Sequence, residues 1–224
     1  MSANLIHLLI EATGQTLYMV AISALLGTVF GLPLGTFLAC SQKGELLSAP
    51  LVNKVLGLVV NATRSVPFII LVVAIIPFTR FIAGTSIGTT AAIVPLTIAA
   101  VPFIARLIEN AIREVDGGLI EAARSMGATP MQIIRKVLIP EAAPSITLGL
   151  TLAVVSLIGY SAMVGAVGGE GLGDLGIRYG YQRFMPEVML AVVVILIVLV
   201  QLVQSIGEWI AARVDKRAPK SRGQ

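Results

Sequence analysis

The chain consists largely of long segments that carry no charged side chain. Five such runs occur, at positions 12–42, 65–79, 81–105, 142–169 and 188–207. A transmembrane helix needs about 20 predominantly apolar residues to cross a hydrocarbon core of about 30 Å. The pattern therefore predicts an all-α integral membrane protein with five transmembrane helices.

Composition leaves no room for a separate soluble domain. Hydrophobic residues make up 56% and charged residues 12% of the 224 positions, whereas charged residues form about 25% of a typical soluble domain. The second uncharged run is too short to span by itself, so its helix must extend back towards Val55 and include Arg64. Within one membrane domain over residues 12–209, we predict spans at about 17–40, 57–79, 81–104, 145–167 and 187–208.

Basic residues are distributed unevenly between the two sets of loops. Lysine and arginine collect in the cytoplasmic loops of membrane proteins. Twelve fall in the set that includes the C-terminus, against three (Arg80, Arg178 and Arg183) in the opposite set. We therefore expect an external N-terminal segment at 1–11, with a short amphipathic helix, and a basic cytoplasmic tail at 210–224. Nucleic-acid binding is not indicated, because no aromatic or arginine-rich groove lies outside the spans.

The longest polar connection, residues 106–142, lies between the third and fourth spans. Gly117 and Gly118 should end the helix that leaves the third span, and residues 119–126 have helical character. Gly127 then stands where a helix end favours a positive φ, which glycine adopts at little cost. The sequence therefore predicts a short helix with a defined stop.

A second helix start follows at once. Thr129 suits an N-cap, Pro130 suits the first helical position, and Gln132 completes a capping box. This helix should run to about Leu138 and stop before Pro140, because the residue that precedes a proline disfavours helix. Two short helices at a sharp angle would suit insertion into a groove on another protein.

This connection reads E-A-A-R-S-M-G-A-T-P-M-Q-I-I-R-K-V-L-I-P over 121–140 and resembles the EAA loop of ATP-binding cassette (ABC) importers. In that family the loop docks the permease subunit onto a cytoplasmic ATPase. Val137 and Ile139 depart mildly from the general pattern, which prefers Ile and Leu. The resemblance assigns ATPase coupling to Glu121, Ala122, Ala123, Arg124, Gly127 and Pro140.

Longer matches resemble the permease of the bacterial methionine importers. They are R-S-V-P-F-I-I-L-V-V-A-I-I-P-F-T-R at 64–80, G-T-S-I-G-T at 84–89, I-V-P-L-T at 93–97, P-F-I-A-R at 102–106 and G-Y-S-A-M at 159–163. The resemblance implies a type I ABC importer transmembrane domain in the bacterial inner membrane, which translocates methionine by alternating access. As partners it implies a second copy of the permease, two copies of the ATPase, an external methionine-binding protein and membrane lipid.

The chain has no phosphate-binding loop of its own. The pattern G-x-x-x-x-G-K-[ST] is absent, so the usual P-loop route to ATP hydrolysis is closed to it. We expect a non-catalytic subunit that binds no cofactor, with ATP and Mg²⁺ held by the partner ATPase. One cysteine and one histidine do not provide metal-ligand spacing either.

Small residues recur at every fourth place in the first span, at Gly27, Gly31 and Gly35. Such a stripe lets two membrane helices approach closely. We interpret it as a packing face.

Candidate pathway residues lie in the second and fourth spans. An ionisable group such as Arg64 costs about 2.5–3.5 kcal/mol at a helix centre on insertion scales, so it should face the interior, a partner or the inner interface. It either contacts a substrate carboxylate or extends to the cytoplasmic surface. Tyr160, Ser161 and Met163 place two hydroxyls and a polarisable thioether in the fourth span, as an outer gate or as ordinary packing.

The segment after the fourth span is dense in glycine. It runs from Gly165 to Tyr181 and is predicted to be external. Its backbone could adapt to the lobes of a delivery protein, with Glu170, Asp174 and Arg178 as the contact residues. The alternative is a mobile turn without a partner.

Other classes fit the sequence less well. A membrane enzyme such as a serine protease using Ser161 would need a base, and the only histidine, His7, lies outside the bundle. A secondary transporter or channel would typically show buried acids or paired interrupted helices, and the uncharged runs contain no Asp or Glu. A permease of the importer class for another amino acid stays open, and the sequence does not separate L- from D-methionine.

Overall fold

The computed structural model describes residues 3–43 and 45–215, with side chains from Leu5 onward. All regular structure in these ranges is helical. The helices are α1 (Ala3–Cys40), α2 (Pro50–Ser65), α3 (Phe68–Ala74), α4 (Ile76–Ala83), α5 (Thr89–Arg113), α6 (Gly117–Ser125), α7 (Pro130–Ile133), α8 (Ile139–Gly165), α9 (Gly171–Leu175) and α10 (Pro186–Val214). Two π-helical segments, Ile134–Leu138 and Gly176–Tyr181, follow α7 and α9.

Four helical stretches in the described ranges are long and apolar enough to cross a membrane. They are Leu5–Cys40, Thr89–Arg113, Pro130–Gly165 and Pro186–Val214. The pair α2 and α3 becomes a fifth candidate if it is taken as one broken span, with a bend of 101° between its halves. The prediction of a multi-span all-α protein is thus confirmed, with four or five candidate spans.

The second predicted span is not one continuous helix, which corrects our expectation. The chain leaves the helical conformation at Val66, where φ is −81° and ψ is 126°, and Pro67 follows. A proline ring disfavours helix at the preceding residue and removes an amide donor, so the break falls where the sequence places Pro67. Arg64 therefore lies in the last turn of α2, at the bend.

The N-terminal residues do not form a separate amphipathic helix. The described part of the predicted external segment continues without a break into the first span as α1. Leu5, Leu9 and Ala12 are buried in a cluster with Leu172 of α9 and Val188 of α10. Burial of these side chains holds the beginning of α1 against the bundle. Residues 1–2 and most of the predicted basic tail, 216–224, lie outside the described residues.

Helices α1 and α5 form the most extensive contact in the bundle. Three of the glycines of α1, Gly27, Gly31 and Gly35, lie directly on α5: a Cβ built at Gly31 would stand 2.9 Å from the Ile104 side chain. One built at Gly35 would collide with the backbone carbonyl of Ala105. The predicted packing face is therefore confirmed, because only a residue without a side chain permits this approach.

Helix α8 packs against both α5 and α1, and α10 packs along α8. Gly149 of α8 lies against Leu107, and Gly207 of α10 lies against Thr151 of α8. Of an apolar 18-residue stretch of α10, only 6% is buried inside the chain. Most of α10 is therefore available to lipid or to a partner.

We predict that Gly35→Ala destabilises the protein and that Gly14→Ala does not. The added methyl at position 35 meets backbone, and such overpacking costs about 1–3 kcal/mol. Gly14 is an exposed glycine of the same helix, and a Cβ there would have no atom within 4 Å. The midpoint of SDS-induced unfolding in detergent should fall for the first variant only. Equal midpoints for the two variants would contradict the packing interpretation.

Candidate coupling segment and pathway

The connection between α5 and α8 begins with a capped helix. The Asp116 side chain accepts a hydrogen bond from the Gly118 amide at 2.7 Å and serves as the N-cap of α6. Our prediction that Gly117 and Gly118 break a helix is wrong in detail, because both lie in the first turn of α6. The sequence signal for the cap was the aspartate that precedes them, since Asp is a favoured N-cap residue.

Helix α6 ends in a Schellman motif centred on Gly127. The Ala128 amide donates to the Ala123 carbonyl at 3.1 Å, and the Gly127 amide donates to the Arg124 carbonyl at 2.9 Å. Gly127 has φ of +79°, which confirms the predicted positive φ. These two bonds satisfy carbonyls that a helix end leaves unpaired. The turn is therefore fixed by local chemistry.

The next helix starts with the predicted capping box but does not stop at Pro140. The Thr129 amide donates to the Gln132 side chain at 2.9 Å, and the Gln132 amide donates to the Thr129 hydroxyl at 3.4 Å. Beyond it the chain passes through the π-helical segment, where the Ile139 amide bonds to the Ile134 carbonyl, and enters α8. A proline ring crowds the carbonyl four residues earlier, and the wider π turn accommodates that crowding. The predicted pair of short helices is thus one short helix, α6, followed by an extension of the fourth span.

The segment 116–134 presents an exposed edge while its other side is anchored. Ala123, Ile133 and Ile134 are buried in the main core cluster. By contrast, Glu121, Ala122, Arg124 and Gly127 are exposed, as is Pro140 beyond them. We call residues 116–134 the coupling segment.

Two methionines on the coupling segment were missed by sequence reasoning. Met126 is 82% exposed and Met131 is 52% exposed, one on each side of Gly127. Flexible thioether side chains adapt to irregular partner surfaces. Their position next to the predicted stop residue was the signal that could have identified them.

Arg64 and Tyr160 line one cavity of about 160 Å³. The Arg64 guanidinium carbon lies 5.9 Å from the centre of the Phe103 ring. The Tyr160 ring stacks on Phe68 with ring centres 4.5 Å apart. The cavity thus combines a cation, a phenol and aromatic faces. Its lining is Thr63, Arg64, Val66, Phe68, Leu71, Ala99, Phe103 and Tyr160.

The other two predicted pathway residues do not line this cavity. Ser161 is buried, and its hydroxyl donates to the Ile158 carbonyl at 2.7 Å. Met163 is 47% exposed on a different part of α8. Sequence reasoning instead missed Phe68 and Phe103, because aromatic residues in apolar runs give no signal that separates a cavity wall from core.

The glycine-dense segment after α8 is ordered by hydrogen bonds to α1 and α5. The Gly171 amide donates to the Gln15 side chain at 3.0 Å, and the Leu172 amide donates to the Thr16 hydroxyl at 2.9 Å. Helix α9 and the second π-helical segment lie within it. The described residues there form a structured cap on the bundle.

The three predicted contact residues of that segment lie together. Glu170, Asp174 and Arg178 line one cavity of about 330 Å³ with Glu11 of α1. Glu170 accepts a hydrogen bond from the Thr89 hydroxyl at 2.5 Å, and Arg178 pairs with Asp174. We call this the cap cavity. It lies at the opposite end of α8 from the coupling segment, about 40 Å away along a helix of this length.

A buried ion cluster on α5 was also missed. Glu109 has a side chain that is only 2% exposed, and it pairs with Arg106 and with Arg113. The spacing of three and four residues places all three on one helix face. That spacing was visible in the sequence, but the cluster borders the polar connection and was counted as part of it.

Comparison with known proteins gives consistent matches. Residues 31–217 match the family described as "Binding-protein-dependent transport system inner membrane component". A relative from Vibrio cholerae, named "Probable D-methionine transport system permease protein MetI", is 60% identical over 94% of this chain and 93% of its own. The Escherichia coli K12 protein named "D-methionine transport system permease protein MetI" is 51% identical over 74% of this chain and 76% of its own.

Solved structures that resemble this chain also come from ABC transporters. A chain from the MetNI methionine ABC transporter, described in inward-facing conformations, has a TM-score of 0.95 at 49% identity and covers 96% of this chain and 100% of its own. A chain from an amino acid ABC transporter crystallised with histidines has a TM-score of 0.75 at 23% identity, over 92% and 94% of the two chains. The second match bears on the fold alone.

We predict that Gly127→Ala loosens the end of α6 while Gly117→Ala does not. A non-glycine residue in the left-handed region costs about 1–2 kcal/mol, which corresponds to a factor of about 5–30 in a local opening equilibrium. Hydrogen exchange at the Ala128 amide should accelerate by that factor in the first variant. Gly117 is helical, and a methyl added there would meet open space, so exchange at Ala128 should stay unchanged in the second variant. Equal rates at Ala128 in both variants would contradict the role of positive φ.

Proposed function

The chain belongs to the family of binding-protein-dependent transport system inner membrane components, and on that premise we propose that it is the permease subunit of an ATP-driven methionine importer. Its fold is that of a type I ABC importer permease. The identity of 47–60% to named D-methionine permeases supports the substrate class. The observation that carries the proposal is the coupling segment, an exposed and internally hydrogen-bonded turn joined directly to the transmembrane bundle.

The coupling segment supplies the contact with an ATPase. Glu121, Ala122 and Arg124 lie on the exposed side of α6, and Gly127 fixes its end. Short side chains such as Ala122 allow the helix backbone to approach a groove closely. Met126 and Met131 add apolar contact area that a purely charged loop would lack. We place two cytoplasmic ATPase subunits below two copies of this chain.

Motion of the ATPases reaches the bundle because the coupling segment is joined to α5 at one end and to α8 at the other. Only three residues separate α5 from α6, and α7 runs through the π-helical segment into α8. When nucleotide draws the ATPases together, the paired coupling segments follow, and α5 and α8 move with them. The bundle then alternates between inward-facing and outward-facing states. This assigns the coupling segment and the C-terminus to the cytoplasmic side and the N-terminus to the outside.

The cavity at the bend between α2 and α3 is our proposed amino-acid contact. A zwitterionic substrate carries a carboxylate that suits the Arg64 guanidinium, which offers donors in a fixed planar fork. Phe68, Phe103 and Tyr160 supply apolar and aromatic surface for the side chain, and a thioether packs favourably against aromatic rings. Ser161 and Met163 keep the role of a gate outside this cavity.

Delivery of substrate is assigned to an external binding protein that docks over the cap cavity. Glu170, Asp174 and Arg178 are the proposed contacts. The fixed backbone of this segment offers a preorganised surface, which lowers the entropy cost of docking. A permease of the same class for another amino acid would use the same surfaces with a different delivery protein.

We predict that Glu121→Lys abolishes coupled transport without preventing insertion. Reversing one charge within an interface costs several kcal/mol, so ATP-dependent methionine uptake should fall at least about tenfold. Glu45→Lys makes the same charge change at an exposed position outside the coupling segment and should transport normally. Uptake into proteoliposomes and co-purification of the ATPase measure the outcome. Normal uptake by Glu121→Lys would remove the docking assignment.

We predict that Arg64→Gln weakens substrate capture. A hydrogen bond to a charged group contributes about 1.5–3 kcal/mol, so the KM for methionine uptake should rise about tenfold or more. Arg64→Lys should recover part of the loss because it keeps the charge. Arg80→Gln is the control, since Arg80 is exposed and lies outside the cavity lining. An unchanged KM in Arg64→Gln, in an assembled complex, would reassign Arg64 to a purely structural role.

A further inference from the structure

A buried carboxylate near the C-terminal end of α5 has no assignment in the importer function. Each oxygen of Glu109 pairs with a different guanidinium: Oε2 with Arg106 and Oε1 with Arg113 at 2.5 Å. A carboxylate removed from water is costly unless it is paired. The side chain is therefore held in one position by two cations.

Within the described ranges, Arg106 is the one of the two arginines that reaches another span. The second nitrogen of the Arg106 guanidinium donates to the Asn61 side-chain oxygen of α2 at 2.9 Å. The same nitrogen lies 3.5 Å from the Gly57 carbonyl, also on α2. Among the described residues, the partner of Arg113 is Glu109. Arg106 therefore links α5 to α2, and Arg113 does not.

This link lies on the same helix contact as the proposed substrate cavity. Gly57, Asn61 and Arg64 are spaced by four and three residues, so they share one face of α2. Phe103 and Arg106 are likewise one turn apart on α5. Arg64 stands over Phe103, while Asn61 bonds to Arg106 one turn below. The position of Arg64 thus depends on how firmly α2 is held to α5.

We propose that Arg106, held in place by Glu109, is a positioning residue that clamps α2 to α5. The arginine side chain has many rotamers, and the buried carboxylate selects the one that reaches Asn61. Because α5 leads within three residues into α6, the clamp makes α2 and Arg64 follow the coupling segment. The inference rests on the proposed importer function and adds the route by which the coupling segment controls the cavity.

The test compares variants in the complete importer, with ATPase and binding protein, in proteoliposomes. The measured quantities are the methionine imported per ATP hydrolysed and the distance between spin labels at Leu58 on α2 and Asn110 on α5, both exposed. Asn61→Ala and Arg106→Gln should each lower the transport ratio about tenfold, equivalent to about 1.4 kcal/mol, and broaden the distance distribution. ATP hydrolysis itself should persist.

Arg113→Gln is the matched control, because it removes the other cation of Glu109 without touching α2. It should keep the transport ratio within about twofold and leave the label distance unchanged, because Arg106 still pairs with the carboxylate and a partly exposed cation contributes little. The double variant Asn61→Ala, Arg106→Gln should be no worse than either single variant, because contacts that act through one bond are not additive.

Two results would overturn the clamp. One is a normal ratio and distance in Asn61→Ala, which removes the bond to α2 and leaves the ion cluster on α5 intact. The other is equal damage from Arg113→Gln, which would assign the effect to α5 alone. If the wild-type complex imports no methionine with ATP, the proposed function fails instead, so the two failures are distinguishable.

Discussion

The close approach of α1 to α5 is the contact on which the rest of the bundle depends. In lipid there is no hydrophobic drive between helices, so association relies on close packing and on polar links. Gly31 and Gly35 bring the backbone of α1 onto Ile104 and Ala105. Helix α8 packs against both of these helices, and Arg106 links α5 to α2. Helix α5 thus contacts α1, α2 and α8, and the chain passes from its end into the coupling segment.

Features decided by a few neighbouring residues could be predicted from the sequence. The capping box at Thr129, the positive φ of Gly127 and the small-residue face of α1 all follow from local chemistry. Pro67 and Pro140 show where prediction from neighbouring residues fails. Pro67 breaks its helix, whereas Pro140 is absorbed by a π turn. The choice depends on what packs around each proline, which no single stretch of sequence contains.

The candidate site shows the same division. Arg64 and Tyr160 were separate candidates from the sequence, and they line one cavity. Ser161 does not line it, because the next residue along a helix points about 100° away. Phe68 and Phe103 are walls of the cavity beside the bend at Pro67. The sequence alone does not identify them as cavity residues, because it does not show where the bend leaves space. The sequence does carry a signal for Glu109, because it lies three residues after Arg106 and four residues before Arg113. Residues at these spacings share one face of a helix.

The uninterrupted helix from Pro130 to Gly165 spans 36 residues, or about 54 Å at 1.5 Å per residue. One end belongs to the proposed ATPase contact and the other leads to the proposed docking cap. Coupling between binding events at the two ends is reciprocal by thermodynamic linkage. If docking of the external protein raises the affinity for nucleotide by some factor, bound nucleotide raises the affinity for the docked protein by the same factor. The importer would then hold its delivery protein most tightly in the nucleotide-loaded state.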